Sequence, residues 1–187
     1  MSSFLSRYFL KNDLLTNTGL LVLRLAIGTM MIHHGQEKLA NPESFAAAYL
    51  VPLHMPIPSV MAHVAGLSEI FGSWFVILGF FTPIGALALV GTMAVAGYHH
   101  ILTSGFNIYL LELVVLYLGG SLAILLNGPG RFSIDAGIVS DLLASDAMAS
   151  DEVDTARSDF TGHRYSEPAP VRVQAEVSAG SPHSGRR

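Results

Sequence analysis

Four long apolar runs, separated by short clusters of proline, glycine, asparagine and serine, organise the first two thirds of the chain. The first, residues 14–34, carries one charge, Arg24, and at 1.5 Å per residue covers about 31 Å, the thickness of a hydrocarbon core. The second, residues 60–81, starts beyond Pro52, Pro56 and Pro58, which forbid continuous helix, and holds Glu69 as its one formal charge. Thr82 and Pro83 read as an N-cap and a first helical position, opening a third run over 83–102 and making a tight hairpin with the second. Asn107 can cap a fourth run, 107–126, which Asn127-Gly128-Pro129-Gly130 terminates. The pattern predicts an all-α membrane four-helix bundle, up-down-up-down.

Composition supports a bilayer over water as the solvent. Only 13% of the 187 residues are charged, about half the share of an ordinary soluble domain, and none of the four runs has the continuous polar stripe that a soluble bundle needs. Between Leu14 and Gly130 the charges are Arg24, Glu37, Lys38, Glu43, Glu69 and Glu112 alone. Arg7 and Lys11 precede the first span and six arginines follow the fourth, so the positive-inside rule puts both termini in the cytoplasm. The expected organisation is a lead over 1–13, a transmembrane domain over 14–130, a short amphipathic helix over 131–148 with Ile134, Ile138, Leu142 and Leu143 on one face, and a disordered polar tail over 149–187. Membrane lipid is the first partner. A net charge of −4 without basic clusters leaves no surface for nucleic acid, and the absence of cysteine excludes disulfides, thiolate chemistry and cysteine-ligated metals.

The few polar residues within the spans are therefore the candidates for chemistry. Counted from the span ends, Arg24 and Glu69 both fall near the midplane, which predicts an intramembrane ion pair. With the termini inside, His34, His99, His100 and Glu112 converge at the outer boundary with Lys38, accompanied by a secondary polar cluster of His33, Glu37 and His63. Imidazoles there can shuttle protons, so the cluster reads as a proton-coupled small-molecule site or as interfacial hydrogen bonding. Metal and haem are the weaker readings, because neighbours at 33/34 and 99/100 diverge by about 100° on a helix and cannot chelate one ion as a pair. No metal ligand set is assigned.

In order along the chain, Arg24, His34-Gly35-x-x-Lys38, Ala65-Gly66-x-x-Glu69-x-x-Gly72, His99/His100, Glu112 and Gly128-Pro129-Gly130-x-x-Ser133-x-Asp135 resemble the DoxX family of small four-helix bacterial membrane proteins, over about residues 14–140. The family includes a subunit of a thiosulfate:quinone oxidoreductase. The resemblance implies residence in the bacterial plasma (inner) membrane and membership of a quinone-linked redox or redox-stress complex, with a protein partner or a homo-oligomer. It would place a quinone against His34 or His99, with Lys38 and Glu112 managing charge and protons. A non-enzymatic scaffold or assembly protein, docking through its tail, is the alternative. Transport has less support, since no inverted repeat or broken span is evident.

Overall fold

The computed structural model describes Phe9 and residues 13–164; most of the expected N-terminal lead and the expected disorder beyond Arg164 lie outside the described residues. Every described element is helical: α1 (Leu14–Ala40), α2 (Pro42–Phe45), a π-helical turn (Ala46–Leu50), α3 (Pro58–Leu78), α4 (Thr82–Ser104), α5 (Ile108–Asn127) and α6 (Ile134–Arg164). By length and composition α1, α3, α4 and α5 can each cross a membrane. They pack in chain order, α1 on α3, α3 on α4 and α4 on α5, while α5 returns to α1 along a sparser seam.

Local chemistry sets the helix ends. Asp13 caps α1 by accepting from the backbone N–H groups of Leu15 (3.3 Å) and Thr16 (3.1 Å). The helix then runs to Ala40, past the expected end at His34, because nothing breaks it before Asn41-Pro42; the hydrocarbon thickness limits a span but not a helix. α3 stops at Leu78, before the expected Phe81, on Gly79 in the left-handed conformation (φ 66°), a site that favours glycine. Thr82 is not the cap of α4. Its place is taken from a distance by Asp135, whose carboxylate accepts from Phe81 N–H (2.8 Å) and Thr82 N–H (2.9 Å). Asn107 caps α5 as the sequence predicts, accepting from Tyr109 N–H.

Glycines bring the spans together. A Cβ on Gly35 would stand 2.8 Å from the Gly66 carbonyl oxygen, and one on Gly85 would stand 2.6 Å from that of Gly72. Backbone at that range leaves no room for a methyl group, so both contacts require glycine. Between the glycine contacts Ile27, Met31, Val76, Leu89, Met93 and Ile124 form the main core. Each span buries only about a third of its most apolar window. Phe71, Trp74, Ile84, Leu87 and Leu116 face outward, a surface suited to lipid.

α6 corrects the expectation for residues 149–164, which continue the helix instead of becoming disordered. No glycine or proline interrupts residues 138–161, and alanine, leucine and glutamate are good helix formers, so a low apolar content does not preclude helix. Residues to Asp146 form one compact unit with the spans, and Ala147 begins a second.

Candidate functional site

The bundle draws in two cations, the buried Arg24 and the partly buried Lys38, and their surroundings differ. Arg24, on the inward face of α1, is 1% exposed. Its Nε donates to Val76 O (2.7 Å), Nη2 to Ile77 O (2.8 Å), and Nη1 to both Pro129 O and Phe132 O (2.8 Å each). Two of these carbonyls belong to the end of α3, where Val76 O also accepts from the capping Gly79 N–H at 3.2 Å; the others belong to the turn after α5. The planar fork of arginine can serve all four at once. Asn17 adds to the same end by accepting from Arg131 N–H at 2.7 Å. Asp135, which caps α4 there, also donates its backbone N–H to Gly79 O at 2.8 Å.

Glu69 does not pair with Arg24, contrary to the sequence expectation; its partner is Lys38. The error is one of register. Gly28 faces Ser73 and Ile77, while Gly35 faces Gly66, Glu69 and Ile70, so α1 is offset along α3. That offset levels Arg24 with the end of α3 and Glu69 with the His34 region of α1. Lys38 reaches Glu69 because helical side chains lean toward their N-terminus, which draws its ammonium down into the bundle. Glu69 is fully buried, and its second oxygen, Oε2, has no hydrogen-bond partner.

Above this pair lies a partly enclosed cavity of about 560 Å³ with a mainly apolar wall. Of the expected site residues, His34, Lys38, His99, His100 and Glu37 line it. His99 is 7% exposed and its Nδ1 has no partner. The ring of His34 meets the edge of Tyr117, with centroids 5.4 Å apart. Glu37 lies toward the surface, 3.2 Å from His33 Nε2 and 3.5 Å from His34 Nδ1.

Other expected members are elsewhere. Glu112 is exposed and does not line the cavity, because the inward face of α5 is Leu111, Val114, Ser121 and Ile124, and Glu112 projects from the other side. His63 is also exposed and does not line it, its Nδ1 lying 2.8 Å from Ser59 O; His33 faces outward, as its neighbour His34 faces in. Among the described residues no three histidine or acidic side chains converge as metal ligands.

Three aromatic residues of the cavity, Phe45, Tyr49 and Tyr117, were not signalled by charge or motif. Phe45 and Tyr49 stack with centroids 4.9 Å apart and planes 25° apart, and Tyr49 lies 4.9 Å from the ring of His99. Lys38 Nζ stands 5.3 Å from the Phe45 ring centre, within reach of its π face. Phe45 and Tyr49 are four residues apart in the connector that runs from α2 into the π-helical turn. That helical spacing, in a segment too short to span, was the available signal.

Four apolar helices with polar chemistry confined to their interior and ends define a multi-pass integral membrane protein. The family model of DoxX matches residues 19–102, which take in α1 from its second turn, the connector, α3 and nearly all of α4. Inner membrane protein YphA of Escherichia coli (strain K12) is 29% identical over 123 residues, covering 62% of this chain and 87% of that protein. No solved structure matches. Residues 19–102 are thus similar to the DoxX family, and the four apolar helices together with an inner-membrane relative support a multi-pass protein of the bacterial inner membrane. The matched segment contains Arg24, His34, Lys38, Glu69, His99 and His100; Glu112 and Asp135 fall outside it.

Proposed function

We propose that this protein is the quinone-binding subunit of an inner-membrane redox complex and holds the quinone ring in the cavity at the Lys38 end of the bundle. The observation that carries this reading is His99, a nearly buried imidazole whose Nδ1 lacks a partner on the wall of a mainly apolar cavity. A buried polar atom without a partner is costly, about 1–3 kcal/mol, and a ligand that satisfies it recovers that cost. The His99 ring also hydrogen-bonds to the Tyr49 backbone, so Nδ1 accepts from a quinol hydroxyl when the ring is neutral and donates to a quinone oxygen when the ring carries both protons.

Lys38 supplies a second donor. Its ammonium has three protons, of which Glu69 engages one, and it lines the same cavity. The Phe45–Tyr49 stack offers a flat apolar surface that suits a planar ring. A bound quinone would supply two-electron, two-proton chemistry. His34, His99 and His100 hold or release protons beside it, and Glu69 keeps the site near neutral while Lys38 is charged. The outer placement of this end and the cytoplasmic placement of both termini belong to the same proposal, on the distribution of arginine and lysine.

Purification in mild detergent followed by solvent extraction tests the reading. About one quinone per chain is expected, falling roughly tenfold in His99→Leu, as the loss of one buried hydrogen bond implies. Protein that neither retains quinone nor binds it on addition overturns the proposal. Protein arriving empty but with a soluble partner would favour the scaffold role instead.

A further inference from the structure

The cavity has a mouth at an unusual depth. Ser68 is the central residue of α3 and Gly91 lies within a turn of the centre of α4, and both line the cavity. Gly91 is exposed and a Cβ built on it meets nothing within 4 Å. Val64 and Val95 beside them also line the cavity and are 49% and 37% exposed. The hairpin is tight at its other end, where Gly72 and Gly85 bring the backbones together, so the small residues further along leave a groove between α3 and α4. In a membrane, mid-helix positions face hydrocarbon and not headgroups or water. The groove connects the lipid interior with the chamber where the unpartnered Nδ1 of His99 is buried.

We propose that the ligand of this cavity carries a long hydrocarbon chain, which leaves through the α3–α4 groove at Ser68 and Gly91 into the bilayer. The proposal rests on the quinone reading for the identity of the ring, and on the groove alone for the chain. The lining agrees with it: His99 and Lys38 supply donors, whereas Val64, Gly91 and Val95 offer a chain only apolar contact. A ligand so placed exchanges with the pool dissolved in the membrane without crossing the headgroups.

Gly91→Phe places a ring at the groove from a position where a Cβ meets nothing within 4 Å, and it replaces a residue that weakens helices. It is expected to weaken binding of a long-chain quinone about tenfold, equivalent to losing roughly two buried methylenes, and to leave a tail-less analogue within about twofold. Gly119→Phe, on an equally open site of α5 outside the cavity, should change neither. Equal loss of both ligands, or of neither, overturns the proposal. A second measurement does not depend on quinone. Since the chain has no cysteine, Ser68→Cys in reconstituted vesicles gives a unique thiol. A bilayer-dissolved maleimide should label it, a charged impermeant reagent should not, and adding Gly91→Phe should slow labelling about tenfold, the same methylene-scale barrier. Labelling by the charged reagent, or at a rate indifferent to Gly91→Phe, contradicts the groove. Failure to bind any quinone with thiol labelling as expected would remove the ring assignment and leave the route standing.

Discussion

Arg24 and Lys38 are both cations drawn into an apolar bundle, but one is saturated and the other is not. Around Arg24, four carbonyl oxygens from α3 and the turn after α5 accept from three guanidinium nitrogens, so four of the five N–H donors are engaged within the protein. Around Lys38, one carboxylate oxygen is engaged, the other has no partner, and a cavity opens beside it with a further unpartnered nitrogen on His99. The first arrangement is a staple: it joins three chain segments and commits most of its donors to the backbone. The second retains hydrogen-bonding capacity in a dry setting, where a polar ligand gains most. Burial of a charge alone therefore does not locate a site. Unspent hydrogen-bonding capacity beside a space does.

Substitutions at the saturated end should act on stability first. Arg24→Met removes four buried hydrogen bonds and should cost about 3 kcal/mol or more, a fall of roughly 10 °C in the unfolding midpoint in detergent. Arg24→Lys should recover only a minor part, because an ammonium cannot reproduce the fork. A midpoint unchanged in Arg24→Met would dissolve the contrast between the two ends. At the open end, Lys38→Met should cost about 2–3 kcal/mol by leaving Glu69 without its cation, and Lys38→Met with Glu69→Gln should restore at least half of that, a coupling readable in a double-mutant cycle. Additive effects would mean that the pair is not a unit.

Gly35→Ala should cost about 2 kcal/mol, since its methyl group would meet the Gly66 carbonyl and α1 would have to part from α3 above the Lys38–Glu69 pair. Gly119→Ala, with open space around it, should be neutral or slightly stabilising on the same thermal assay. The smallest effect concerns Asp13, outside the spans. Hydrogen bonds from the Thr16 side chain and from the Thr16 and Leu15 backbone hold its carboxyl below the ordinary 3.8. A depressed folded pKa stabilises above pH 3.8 and loses that contribution as pH falls through the depressed value. Asp13→Asn should therefore flatten the acid limb of a stability–pH curve below pH 4, about the unperturbed aspartate pKa, and leave neutral pH nearly unchanged.

The spans were legible because bilayer thickness and helix punctuation leave strong marks: Asn107 and the Gly128-Pro129 break stand where expected. Register was not legible, and the mistaken Arg24–Glu69 pair shows why. Depth counted from span ends assumes flush helices, whereas Gly35 on Gly66 fixes an offset that only the packed backbones reveal. The rotation of α5 was hidden for a similar reason. Span ends level Glu112 with the histidines but do not set which side of the helix faces in, and Leu111, Val114, Ser121 and Ile124 face the core. His34, Lys38, His99 and His100 could be brought together from connectivity alone, because span ends fix which loops share a side. Phe45 and Tyr49 could not, since the fold of the connector depends on where Leu50 and Ala46 find Ala62.

The most direct test of the central claim, that the open end and not the saturated end receives a ligand, is photolabelling with an azidoquinone in native-like vesicles, followed by mass-spectrometric mapping. Labels should concentrate on the connector around Phe45 and Tyr49 and on α4 near His99, and unlabelled quinone should compete them away. Labels that cluster around Arg24 and the turn after α5, or that spread along the lipid-facing surface without competition, would contradict it.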